Sequence, residues 1–310
     1  MELVYFRLSE TNFGDEMNTW LWDDILPGWR DAAPEVHLMG VGTILNRSMT
    51  PEGRKLVLGS GAGYGALPDV SDGSWDIRAV RGPLTAEALG LPAERAVADP
   101  AVLLPPLPRF ADIVHEGGTI FVPHHDSAHT CDWETVCSRL GIGFVSPTGD
   151  AEAVIRRIAG AERVIAESMH AAIIADAFGV PWQGVSLSAS FNGRKWLDWS
   201  RSLGLEDPQV RPFYRALRAA QRLRARLTGR RPAAPARRPA GAPQPMHDRV
   251  VTVARQRKPW LEPFAARDLR RSLSNRFQLT DRARLAAAQD RLTEILDQAR
   301  RDYVAERARA

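Results

Sequence analysis

Short apolar runs alternate with helix-period segments twice along this chain, and a proline-rich stretch separates the two series. In the first series Val4–Leu8, Val36–Met39, Lys55–Leu58, Ile77–Val80 and Ala96–Ala98 have the length and apolar content of buried strands. Between them, Glu16–Leu26 carries Met17, Trp20, Leu21 and Ile25 at helical spacing. Pro83–Leu89 has proline in its first turn and Gly90 past its end. The second series runs strand Thr119–Val122, helix Asp132–Leu140, strand Gly143–Val145, helix Ala151–Ala159, strand Arg163–Ala166, helix Met169–Phe178 and strand Gln183–Leu187. Such alternation predicts an α/β fold with parallel sheets between helical layers. The expected architecture is two Rossmann-like lobes, residues 1–105 and 106–211. Pro100–Gly118, with its four prolines, connects them, and a cleft faces the carboxyl ends of both strand sets.

Two further parts follow. Residues 212–258 form a basic linker in which Pro232–Pro245 holds five prolines and five alanines in 14 residues, a composition for extended chain. Residues 259–310 read as C-terminal helices, with Thr280 as a cap and Leu285, Ala288, Leu292, Ile295, Ala299 and Tyr303 on one stripe. That stripe either docks on the body or mediates self-association into a homo-oligomer.

Charge is distributed as unevenly as proline. Fourteen Arg/Lys against Asp248 give residues 211–258 a charge of +13, so that within a total of +4 the remainder carries −9. An acidic body argues against nucleic-acid binding. The basic segment Arg215–Arg238 is either a solvated stretch or a peripheral contact with anionic lipid. No apolar run reaches the ~18 residues of a membrane span. Met1–Leu8 lacks a basic–apolar–small-residue signal, which gives the expectation of a cytoplasmic protein. Cys131 and Cys137 lie six apart on a helix and point away from each other, so neither a disulfide nor a metal pair is expected.

Candidate chemistry sits where strands end. Asn12-Phe13-Gly14-Asp15 with Asn18 opens the first helix, where Gly14 lets backbone approach an anion. Asp15 either caps that helix or holds a sugar hydroxyl. Gly59-Ser60-Gly61-Ala62-Gly63-Tyr64-Gly65 follows a strand but matches neither the P-loop nor the dinucleotide fingerprint. Arg81 ends another strand, where a guanidinium can grip a carboxylate or phosphate with two parallel bonds. His170 falls in a helix's first turn after Ser168, where it is either a satisfied structural histidine or a proton donor. His124, His125 and His129 follow strand Thr119–Val122 and line the crevice. Adjacent histidines on extended chain cannot easily face one ion, so no metal is expected.

In their order and spacing these segments resemble the polysaccharide pyruvyltransferase family, in particular its bacterial exopolysaccharide members. The carriers are Asn12–Asp15 with Asn18, Gly59-Ser60-Gly61, Arg81–Thr85, Ala98-Asp99-Pro100-Ala101, Val122–His125, Ser168–Ile173 and Lys195–Trp199. The resemblance covers about Val4 to Leu205. It implies a fold like the two-lobed glycosyltransferases of the B type, with phosphoenolpyruvate as co-substrate and no cofactor. The product it implies is a pyruvate ketal on a sugar of an exopolysaccharide or its lipid-linked precursor. By the same resemblance His170 and Arg81 are catalytic. Arg81, Gly14, Gly61, Ser168 and His125 bind the donor, and Asp15 and Asn18 the acceptor. The family's helix-start motif usually reads Arg-Leu-His; here Ser168-Met169-His170 keeps the histidine and loses the arginine. A nucleotide-sugar glycosyltransferase and an inactive scaffold of polysaccharide assembly are the competing readings.

Overall fold

The computed structural model describes residues 1–188, 191–214, 250–251 and 257–304. The basic segment Arg215–Arg238 lies outside them. The chain is a mixed α/β protein whose two main sheets are parallel throughout. In the first, β1 (Glu2–Val4), β3 (Val36–Met39), β4 (Arg54–Leu58) and β5 (Trp75–Ala79) lie side by side in chain order. The run expected at Val4–Leu8 is split: β2 (Arg7–Leu8) leaves this sheet and pairs with β11 (Val250–Val251). Ala96–Ala98 forms no strand, and Ala96 contributes one isolated bridge to Val80.

The second sheet holds β6 (Thr119–Val122), β7 (Gly143–Phe144), β8 (Arg163–Ala166), β9 (Trp182–Ser186) and β10 (Val210–Pro212), in the order β10-β9-β8-β6-β7. Every residue of β6 and β9 is buried, as parallel strands covered on both faces must be. The chain runs from β6 outward to β7 and then returns to β8 on β6's other side. That reversal makes the β6/β8 boundary a topological switch point, where the loops leaving two neighbouring strands part in opposite directions and open a crevice. The first sheet has no such reversal, so a doubly wound order belongs to the second sheet alone.

The helices set the walls of that crevice. The helix predicted at Glu16–Leu26 begins earlier and breaks at Met17 into α1 (Phe13–Glu16) and α2 (Asn18–Ile25). α3 (Pro83–Ala88) follows β5, and α4 (Trp133–Ser138) and α5 (Ala151–Ala159) flank β7. α6 (Met169–Ala177) is buried along its whole length, which its Ala/Ile composition requires. α7 (Gly193–Ser202) follows β9 of the second sheet yet packs on α3 of the first half. Its Trp196 and Trp199 stack with Trp182 of β9, at centroid distances of 6.0 and 5.1 Å.

The first part of the prolyl stretch is interior, while Pro106, Pro108 and most of residues 111–118 are exposed. Pro100–Leu104, Leu107 and Phe110 sit in or against the hydrophobic core, which runs from Leu38 and Leu56 of the first sheet to Ile120 and Val164 of the second. α8 (Glu262–Leu273) and α9 (Arg282–Ala299) complete the described chain. Leu285, Leu292, Ile295 and Ala299 are buried against the same core, so the stripe docks on the body. Asp281, not Thr280, caps α9, by accepting from the amides of Ala283 and Arg284. Cys131 and Cys137 are buried free thiols, pushed up to about 11 and about 12 by burial. Among the described residues no helix is long and apolar enough to cross a membrane.

Candidate active site

The switch point is held together by one carboxylate. Glu167 leaves β8 and is buried, and its oxygens accept the amides of His124 (3.1 Å), Leu187 (2.8 Å) and Ser188 (2.9 Å). It therefore ties the carboxyl ends of β6, β8 and β9 to each other. Burial pushes its carboxyl above the usual range, against the pull of these bonds. Sequence reasoning missed Glu167; its position directly after a strand was the available signal.

Next to it Ser168 caps α6 by accepting from the Ala171 amide, which places His170 in the first turn. Ser168 was expected to bind donor; here its hydroxyl serves the cap. His170 is 8% exposed, and its Nε2 stands 3.7 Å from Oδ2 of Asp99. The other oxygen of Asp99 accepts the Ala101 amide at 3.0 Å. Both facing atoms, Nε2 and Oδ2, are buried without a hydrogen bond among the described residues. Asp99 was part of a quoted motif but had been given no role. Gly14 covers the opposite edge of the ring, because a Cβ on it would overlap Nδ1 of His170. The first half of the chain thus supplies Gly14 and Asp99, and the second half the imidazole between them.

His124 and His125 stack with ring centroids 4.0 Å apart. The chain turns into a 3-10 helix at His125–Ser127, which brings the two rings and Asp126 together. Their ligand atoms and those of Asp126 lie within 4.8 Å of one another. The extended-chain objection to adjacent histidines therefore does not hold. However, Nδ1 of His124 accepts the Asp126 amide, which occupies one of the lone pairs a metal would need. Burial holds the imidazole of His124 well below its ordinary range, and nearby positive charge on His125, Lys195 and His170 lowers it further. Burial lowers His125 as well, against the opposing charge of Asp126 and Asp15. His129 is outside this group and pairs with Glu10 at 2.6 Å.

Three expected ligand contacts are corrected. Arg81 does not extend its guanidinium into the crevice. It is fully buried, with Nε and Nη2 at 3.1 and 3.0 Å from Oδ2 of Asp198, Nη1 donating to Thr43 Oγ1 (2.7 Å) and Nη2 to the Ala62 carbonyl (3.1 Å). Gly61 is glycine because a Cβ there would run into that guanidinium, so its small size serves Arg81 rather than a donor. Asn18 is buried and saturated: Nδ2 donates to the carbonyls of Asp15 and Val41, while Oδ1 accepts from the Val41 amide and Trp22 Nε1. Nothing of it remains for an acceptor sugar. Asp15 is not a helix cap either; its carboxylate accepts from Asn12 Nδ2 at 2.6 Å, on the side of the crevice toward His125.

Residues 69–188, which include Asp99, His124, Glu167 and His170, match the family described as polysaccharide pyruvyl transferase. Over 207 residues the chain is 49% identical to succinoglycan biosynthesis protein ExoV of Rhizobium meliloti (strain 1021). The chain belongs to the polysaccharide pyruvyl transferase family. The alignment to that relative covers 66% of this chain and 66% of the relative, a little under two thirds of its length. No solved structure matches the chain. In this polysaccharide pyruvyl transferase family member the buried His170 ring faces a carboxylate oxygen of Asp99 at 3.7 Å, between the two halves of the chain.

Proposed function

We propose that this transferase moves pyruvate from phosphoenolpyruvate onto two hydroxyls of a sugar in an exopolysaccharide or its precursor, releasing phosphate and leaving a ketal. The observation that carries the reading is the His170–Asp99 pair, buried between the two halves and covered by Gly14. Protonation of the donor's methylene carbon makes C2 cationic, and a sugar hydroxyl adds there. Expulsion of phosphate restores an electrophilic C2, and a second hydroxyl closes the ring. The two hydroxyl protons replace the one spent on the methyl group and the one carried off on phosphate. His170 is the acid in this scheme, with a carboxylate oxygen of Asp99 3.7 Å from its Nε2. Donor and acceptor meet between the two sheets, as in the B-type glycosyltransferases.

Arg81 acts through others. Its bond to Asp198 fixes α7 against α3, which makes it a positioning residue rather than a donor ligand. The test is phosphate release from phosphoenolpyruvate in the presence of free and lipid-linked oligosaccharides, with mass spectrometry of the glycan. Acceptor-dependent release that vanishes in His170→Ala, with the variant still folded, supports the reading. Thermal stabilisation by nucleotide sugars and not by phosphoenolpyruvate replaces it with a glycosyl donor.

A further inference from the structure

Lys195 is 9% exposed, in the first turn of α7. Among the described residues its ammonium makes no hydrogen bond and has no carboxylate within ion-pair distance. Its close partner is the ring of Tyr64, whose centroid lies 5.5 Å from Nζ. Arg81, the fully buried cation of this region, has Asp198 as its counter-charge. An ammonium on a mostly buried side chain with no carboxylate beside it leaves its charge available to an arriving anion.

The surroundings say which kind. Lys195, Tyr64, His124, Glu167 and Asn192 line a narrow cavity at the carboxyl ends of β6 and β8. Asn192 caps α7 through Oδ1 and donates Nδ2 to the Gly63 carbonyl at 2.6 Å, so the helix start and the glycine loop are fixed to each other. Glu167 shares the cavity, but its oxygens are turned to backbone amides. An ammonium there repels a divalent cation from the His124–His125–Asp126 group and attracts an anion instead.

We propose that Lys195, with His124 and the Asn192-anchored glycine loop, forms a subsite for the phosphoryl group of the donor. This rests on phosphoenolpyruvate being that donor. Tyr64, 43% exposed, lies over the ammonium from the other side and has to swing out or share the site when the anion enters.

Titration of the full chain with phosphoenolpyruvate and, separately, with inorganic phosphate tests this by calorimetry. Lys195→Met raises both dissociation constants about thirtyfold, as loss of a charged hydrogen bond does. Lys195→Arg stays within about fivefold of wild type, since the charge is kept. Arg194→Ala, which removes an exposed charge one residue away, changes neither. In turnover Lys195→Met raises KM for the donor more than it lowers kcat. Lys195→Gln gives the same comparison should the methionine variant not fold. Unchanged affinity for both anions in folded Lys195 variants, or no binding of either by wild type, overturns the subsite. Lys195-dependent binding of phosphate without binding of phosphoenolpyruvate keeps the subsite and removes the proposed donor.

Discussion

Gly14 lies against the imidazole of His170 so closely that a single added methyl would occupy the ring's space. The contact joins the start of α1 in one half of the molecule to the start of α6 in the other. Replacing Gly14 by alanine is expected to push His170 off its line to Asp99. Phosphate release falls by about a hundredfold, in keeping with an acid displaced by about an ångström. Steady-state kinetics beside a circular-dichroism spectrum check this; wild-type turnover in a folded variant contradicts it.

Asp99→Asn removes the charge facing His170 while keeping the bond to the Ala101 amide within reach of the side-chain oxygen. The expected result is a kcat lower by about one to two orders of magnitude, because the proposed acid loses the carboxylate that faces it. Donor affinity is unaffected. A loss confined to KM argues instead for a binding role.

The Arg81–Asp198 pair is buried at both ends, at 0% and 2% side-chain exposure. Arg81→Met leaves a carboxylate stranded beside Thr85, and Asp198→Asn strands the guanidinium. Each single change is expected to cost about 3–5 kcal/mol in urea unfolding, and the double change less than the sum of the two. Additive losses contradict a direct coupling.

His124 and His125 are held below their ordinary value of 6.5, chiefly by burial. The unfolded chain therefore binds more protons than the folded one as pH drops through that value. Their contribution to stability is full above about pH 6.5 and declines on acidification, by up to ~1.4 kcal/mol per pH unit for each ring. Urea midpoints between pH 7.5 and 5.5 should fall, and His124→Gln should flatten the slope. An unchanged slope in that variant contradicts the assignment.

Much of the second sheet could be read in advance, because apolar runs such as Thr119–Val122 and Arg163–Ala166 owe their burial to their own composition. The position of His170 after β8 was equally legible, since a strand end followed by a capped helix is a local pattern. Arg81 was not. A guanidinium at a strand end points to a ligand unless a partner claims it, and Asp198 claims it from 117 residues away. Asn18 misled for the same reason, as its four hydrogen bonds include two to Val41 of a different segment. Lys195 stood inside a quoted motif, but its isolation from carboxylates is a property of the assembled fold. The split of Val4–Leu8 reflects a partner strand, β11, that no window around residue 7 contains.

The burial of Pro100–Leu104 bears on how the two halves can move. Because this stretch is interior to both sheets, the halves cannot swing apart like a clamshell without breaking the core itself. Any closing motion is then confined to loops at the strand ends, and the interface between the two sheets keeps one fixed geometry.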